Sequence, residues 1–322
     1  VSRNFHRYCT LALSGKSGRT ITGGGFTDLR ITFAIKQWDL QSPNVAKLKI
    51  WNPGKSTIAQ FQNKEFTKVD FSAGYEDNVG LIFSGEIKQA IVGHETATDT
   101  YIEIFAASGD TGYNQGRIST TLAKGHTPQD RVDAAIKAMA PFGVSLGLVN
   151  VDLSQPRYPR GIPLVGMARD VLRSVALSAG ATWSIQNGEK VHIVDQRKPV
   201  TGNAIKLTAS TGLIGWPRQT QDGIEVTSLL NPALQPHANI ELDPSQIIAA
   251  QQAIVVNSPA TARQNIFLDA QGLGDGTYNI FHIDRQGDTR GPDWYDTSLC
   301  IGRGRQVGPS QAQLGYYTLG QS

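Results

Sequence analysis

Between residues 269 and 296 the sequence carries six aspartates: Asp269, Asp275, Asp284, Asp288, Asp293 and Asp296. Two carboxylates facing one cleft could divide the acid and base work of glycosidic cleavage. A cluster of oxygen ligands could instead hold Ca2+. The spacing argues against both, because the acids alternate with Gly, Arg and Pro and so read as loops and turns. The twelve-residue ligand spacing of a calcium loop is also missing. A hydrolase using two of these acids, tested at Asp284 or Asp288, is the enzymatic alternative. The six histidines, His6, His94, His126, His192, His237 and His282, include no pair at helical metal spacing and no HExxH. His192 falls at an alternating position of a strand and reads as a sheet-face histidine. There is no GxSxG elbow. Gly23-Gly24-Gly25 and Gly272-Leu273-Gly274-Asp275-Gly276 miss the spacing of phosphate loops and read as turns. No catalytic residue, metal site or cofactor is expected.

Asp288-Thr289-Arg290-Gly291-Pro292-Asp293-Trp294-Tyr295 is a different kind of motif. Asp288 can accept from turn N–H groups, and Trp294 can bury itself and locate the loop. Trp, Tyr and Arg also dominate binding hot spots. The segment is therefore either a structural lock or an interface anchor.

Composition narrows the class. The chain has 322 residues, 30 Lys plus Arg against 27 Asp plus Glu, and a net charge of +3. Basic residues are scattered, so there is no nucleic-acid footprint. At 39% hydrophobic and 18% charged, it can build a core. No apolar run approaches a membrane span, and Val1 to Leu13 lacks the pattern of a signal peptide. The chain opens on Val1, which reads as a start after processing or after a disordered lead. Cys9 and Cys300 are too few for a disulfide framework or a structural zinc site and read as buried thiols of a reduced compartment.

The elements that must position these residues are mostly strands. Alternation marks Tyr8–Leu13, Leu29–Ile35, Ala46–Trp51, Lys68–Tyr75, Leu81–Ile87 and Thr100–Ala106, with almost no helical period. This pattern predicts an antiparallel barrel or sandwich. Residues 110–205 differ. Thr127-Pro128 opens a helix whose Val132, Ala135, Ile136 and Met139 share a face. A second helix is predicted over Leu164–Ala179, closed by Gly180. Asn187-Gly188 then predicts a tight hairpin with positive φ at both residues. Strands return at Asp222–Leu230, Tyr278–Ile283 and Leu299–Ile301. The expected class is α+β, mainly β, divided at 1–109, 110–205 and 206–322, with the tail from Gln306 to Ser322 of undetermined order.

Five ordered segments resemble the phage baseplate (tail) hub proteins. They are Phe33 to Asn52, with its Ser42-Pro43-Asn44 turn and Trp51-Asn52 end; Ala73-Gly74-Tyr75 with Ile82-Phe83-Ser84-Gly85; Trp183 to Gly188; Val226 to Asn231-Pro232; and Gly287-Asp288-Thr289-Arg290-Gly291 with Trp294. The resemblance covers about residues 5–302, with the segments in the family's order. Arg285 stands where the last signature has His. The resemblance implies two tube-like antiparallel β-barrels around an inserted α/β domain. It also implies a homotrimer that fits a sixfold tail tube protein to a threefold central spike protein. The tape measure protein and the wedge or surrounding baseplate proteins would be further partners, in a contractile tail. DNA would be met only in transit and no membrane anchor is expected. The protein would assemble in the host cytoplasm and reside in the virion. Pro43, Asn44, Trp51, Gly74, Tyr75, Phe83, Gly85, Asn231, Pro232, Asp288, Arg290 and Trp294 are the structural or interface candidates. Hubs of non-contractile tails or of tail-like particles are the related alternative.

Overall fold

A computed structural model describes residues 6–23, 28–195, 198, 202–220, 223–243, 245, 247 and 276–302. The first β region contains β1 (Arg7–Gly15), β2 (Arg19–Gly23), β3 (Ile31–Trp38), β4 (Val45–Trp51), α1 (Lys55–Gln62), β5 (Phe66–Tyr75), β6 (Asn78–His94) and β7 (Thr100–Ala107). The middle contains α2 (Asp110–Gln115), β8 (Arg117–Leu122), α3 (Pro128–Met139), β9 (Ser145–Val149), β10 (Ile162–Met167), α4 (Ala168–Ser178), β11 (Thr182–Gln186) and β12 (Lys190–Val194). The last part contains β13 (Ile205–Lys206), β14 (Leu213–Gln219), β15 (Ile224–Leu229), β16 (Asn239–Glu241), β17 (Thr277–Asp288) and β18 (Trp294–Gly302).

The two β regions share one sheet. Its order is β14-β15-β18-β17-β3-β4-β7-β6-β5-β1-β2, antiparallel at each step, with β16 added beside β17. The join is β3 against β17, where Ile35 pairs Arg285 and Phe33 pairs Gly287. Alternation sends Ile31, Phe33 and Ile35, then Leu48 and Ile50, then Ile102 and Ile104, into one buried cluster. Leu230 and Trp294, from the last third of the chain, belong to that same cluster. A separate cluster in the last part gathers Val226, Tyr278, Ile280, Ile283 and Cys300. The described fold is thus mainly antiparallel β with an inserted α/β unit, as the alternation and the helical stretch require.

The middle unit has its own core. Val132, Ala135 and Met139 of α3 meet Leu172, Val175 and Ala176 of α4 over Trp183, Ile185, Val191 and Ile193. Thr127 caps α3 in a reciprocal box with Asp130. Gly180 follows α4 at φ 65°.

Three local expectations are corrected. The second helix starts at Ala168 rather than Leu164, because Leu164 pairs Thr120 in a two-stranded sheet and Gly166 at φ 140° interrupts any helix. The hairpin loop is three residues, with positive φ at Gly188 and Glu189 rather than at Asn187. The Asn187 side chain is held instead by the first β region: its Oδ1 accepts from Gln37 Nε2 and Ser84 N, and its Nδ2 donates to Ile82 O. Helix α1 is additional to the strand series; Phe61 and Thr57 anchor it, with the Phe61 ring edge-on to Phe66 at 4.9 Å. Gly24, Gly25, the Gly272–Asp275 turn, Asp269, Asp222 and the tail from residue 303 lie outside the described residues. Among the described residues no helix is long and apolar enough to cross a membrane. Cys9 and Cys300 are free and buried, and burial pushes the Cys9 thiol up to about 12.

Candidate functional site

The sequence candidates gather into two connected places. The first is the joint between the middle unit and the sheet. Asn44 follows the half-buried Pro43 in the β3–β4 turn and is itself fully buried. Its Oδ1 accepts from Trp38 N at 3.0 Å, and its Nδ2 donates to Ile185 O and to Gln186 Oε1 at 3.2 and 3.0 Å. Beside it, Asp39 accepts from Thr182 Oγ1 and Ser184 Oγ of β11. A turn in the first third therefore receives the polar inner face of the middle hairpin.

Arg285 continues this network into the last part. It is 0% exposed. Its Nε donates to Gln37 Oε1 at 3.0 Å, its Nη1 to Asp296 Oδ2 at 2.9 Å and to Asn231 O at 3.2 Å, and its Nη2 to Leu234 O. Asn231 N donates to the same Asp296 oxygen. Burial pushes the Asp296 carboxyl up to about 6 against the pull of Arg285. Pro232 packs where a Cβ on Gly80 would come within 2.7 Å, so the Asn231-Pro232 turn sits against the first β region.

The second place is the β17–β18 loop. Asp288 Oδ1 accepts from Arg290 N at 2.9 Å and from Arg30 Nε at 3.1 Å, while Oδ2 accepts from Arg30 Nη2 at 2.6 Å. Burial alone would raise the Asp288 carboxyl, but these bonds hold it below the usual carboxylate range. It is therefore set as a fixed acceptor and not as a general acid. Arg290 reaches Asp28 O. Arg7 of β1 donates to the Asp288, Gly291 and Pro292 carbonyls. Trp294 lies edge-on to Phe33 at 5.3 Å between the two halves. It fills the first cluster and not a core of the last part, and burial rather than free interface exposure is its observed state.

The other candidates hold the first β region in shape. A Cβ on Gly74 would stand 2.0 Å from Asn78 O, and one on Gly85 2.7 Å from Ala107 O. Phe83 and Tyr75 are buried in the first cluster. Trp51 is half-buried, with Lys49 Nζ 3.9 Å above its ring and Arg30 on it at 4.9 Å. Among the described residues no group of three His, Cys, Asp or Glu side chains is placed to hold a metal ion.

No protein-family model matches the chain, and no curated protein matches it. Solved structures do. The 43 kDa tail protein of prophage MuSo2 from Shewanella oneidensis aligns over 92% of this chain and 97% of its own, with TM-score 0.57 and 10% identity. The tail protein from Neisseria meningitidis MC58 aligns over 93% and 98%, with TM-score 0.55 and 10% identity. The E. coli c3393 protein aligns over 88% and 77%, with TM-score 0.52 and 12% identity. That protein is described as a type VI secretion system component similar to T4 bacteriophage tail proteins gp27 and gp5.

The chain has the phage tail-protein fold. In this tail-protein fold, Asn44 sits at the joint, Asn231 and Pro232 lie at Arg285 and Gly80, and Asp288, Arg290 and Trp294 lie at the β17–β18 loop. Trp51, Gly74, Tyr75, Phe83 and Gly85 stand apart, within the first β region. Sequence reasoning missed Asp39, Gln37 and Asn187 as partners. Arg285 carried the one visible signal, as the departure from His in the closing signature. Trp216, 60% exposed on the outermost strand β14 beside Ile214, was also missed. Nothing in the local sequence distinguishes an exposed Trp from a core one.

Proposed function

We propose that the protein is a structural subunit of a phage tail baseplate, a hub that joins the tail tube to the central spike. The observation that carries this reading is likeness along the whole chain: 92% of it aligns with 97% of a prophage tail protein. Its parts at 1–109, 110–205 and 206–322 would act as two tube-like β units around the α/β unit. Three copies would close head-to-tail into a ring. The ring would present six such units to a sixfold tube protein and a threefold face to the spike. The tape measure protein and surrounding baseplate proteins would be its other neighbours, and DNA would pass through the centre. A contractile tail is the setting we favour, in the virion after assembly in the host cytoplasm. The 77% coverage of a type VI secretion component supports a second reading, a hub of a tail-like particle. Catalytic turnover has no place in either reading.

Light scattering on the full chain tests the assembly. The expected mass is three times the 34.8 kDa of one chain. Trp216→Arg should lower assembly while leaving the unfolding free energy of the subunit within about 0.5 kcal/mol, as for an exposed position. A chain that stays monomeric with its tube and spike partners present overturns the proposal. Clearing of peptidoglycan that is lost in Asp284→Asn would instead support the hydrolase.

A further inference from the structure

The joint contains two histidines that the assembly reading does not use. His192 comes from β12 of the middle unit, and His237 from the segment between β15 and β16. Their ring centroids are 5.3 Å apart. His237 Nε2 stands 3.6 Å from Asp39 Oδ1, beyond a hydrogen bond but within ion-pair reach. His192 Nδ1 and His237 Nε2 are buried without a hydrogen-bond partner among the described residues. His237 N donates to Ile280 O, which fixes its segment to β17. The middle unit, the residue after β3 and the last part thus meet at one imidazole pair.

We propose that Asp39, His192 and His237 form an acid-sensitive joint, closed while the His192 imidazole is neutral and opened when it takes up a proton. Among the described residues Asp39 is the carboxylate facing the pair, so a charge on the buried His192 ring is only partly offset. Asp39 is the acid facing the pair from the first β region, and Lys190 on β12 adds a further positive charge. Gly147 of β9 touches the His192 ring, Ser184 of β11 is its cross-strand partner, and Asn279 of β17 lines the space beside His237. None of these three titrates. Arg285, which binds the carbonyl of Leu234, is already engaged by Asp296 and Gln37.

The direction of the effect follows from linkage. Burial first, and the neighbouring His237 second, push His192 down to about 4, with Asp39 opposing. A solvated imidazole titrates near 6.5. Between these values the opened form holds the extra proton, so acid favours opening. Above about 6.5 the closed form carries no such penalty.

Hydrogen exchange of the full chain from pH 7.5 to 4.5, corrected for intrinsic chemistry, reads the joint directly. Protection in residues 182–194 should fall up to about tenfold per pH unit below about 6.5, with β3, β4 and β7 unchanged. The double variant His192→Gln with His237→Gln should hold the same protection at both ends of the range. Protection that is independent of pH in the unaltered chain, or an equal acid loss in the double variant, overturns the proposal. If the double variant does not fold, ring titration by NMR decides it, with the His192 signal identified in His192→Gln. An imidazole at position 192 that titrates at or above about 6.5 also overturns it.

Discussion

Arg285 is 0% exposed, and its Nε, Nη1 and Nη2 each meet an oxygen. Taking the guanidinium and Asp296 out of water costs several kcal/mol per ion, which only a well-bonded pair recovers. Here the recovery is incomplete on one side, since Asp296 Oδ1 has no hydrogen-bond partner among the described residues. Arg285→Met would strand the carboxylate, so urea melts should show a loss of about 3–5 kcal/mol. Adding Asp296→Leu should return at least half of it, because the uncompensated charge is gone. A loss under about 1 kcal/mol in the single variant would mean that the pair is not held as described. The branched bonding also explains why Lys could not serve, as one ammonium cannot address Gln37, Asp296 and Leu234 in a single plane.

At the scale of elements, period-2 alternation was enough to find β1, β3 to β7, β11, β12, β15, β17 and β18, because each buries one face. The helix α3 was equally legible from Thr127-Pro128 and its stripe. The failures have local causes. Leu164 has the right spacing for α4 but is claimed by pairing with Thr120. Asn187 has turn chemistry but spends its amide on Gln37, Ser84 and Ile82. The site itself was legible only in pieces, since Asn44 meets Ile185 across 141 residues and Gln37 meets Arg285 across 248. No spacing rule reaches that far. Gly188 gives a clean test of the corrected loop. Its φ is 75°, and an added Cβ would meet only Lys190 Cε at 4.0 Å. Gly188→Ala should therefore cost about 1–2 kcal/mol from backbone strain alone, with no steric addition. Unchanged thermal stability would contradict the loop assignment.

Across the whole molecule, the shared sheet makes the two β regions one mechanical body. Trp294 of β18 touches Phe33 of β3 and belongs to the first cluster, so its removal should be felt on both sides of the join. Trp294→Ala is expected to cost about 3–5 kcal/mol and to lower hydrogen-exchange protection in β5 as well as in β18. Loss confined to β18 would show that the halves unfold independently. The pairing of β3 with β17 also sets a schedule. Residues 31–38 leave the ribosome long before residues 282–288, and at roughly 5–20 residues per second the gap is on the order of ten seconds to a minute. Throughout that interval β3 offers Gln37, Ile35 and Phe33 along a bare strand edge, which is a template for pairing with any other nascent chain. The chain thus spends part of its synthesis with an open edge that only its own last third closes.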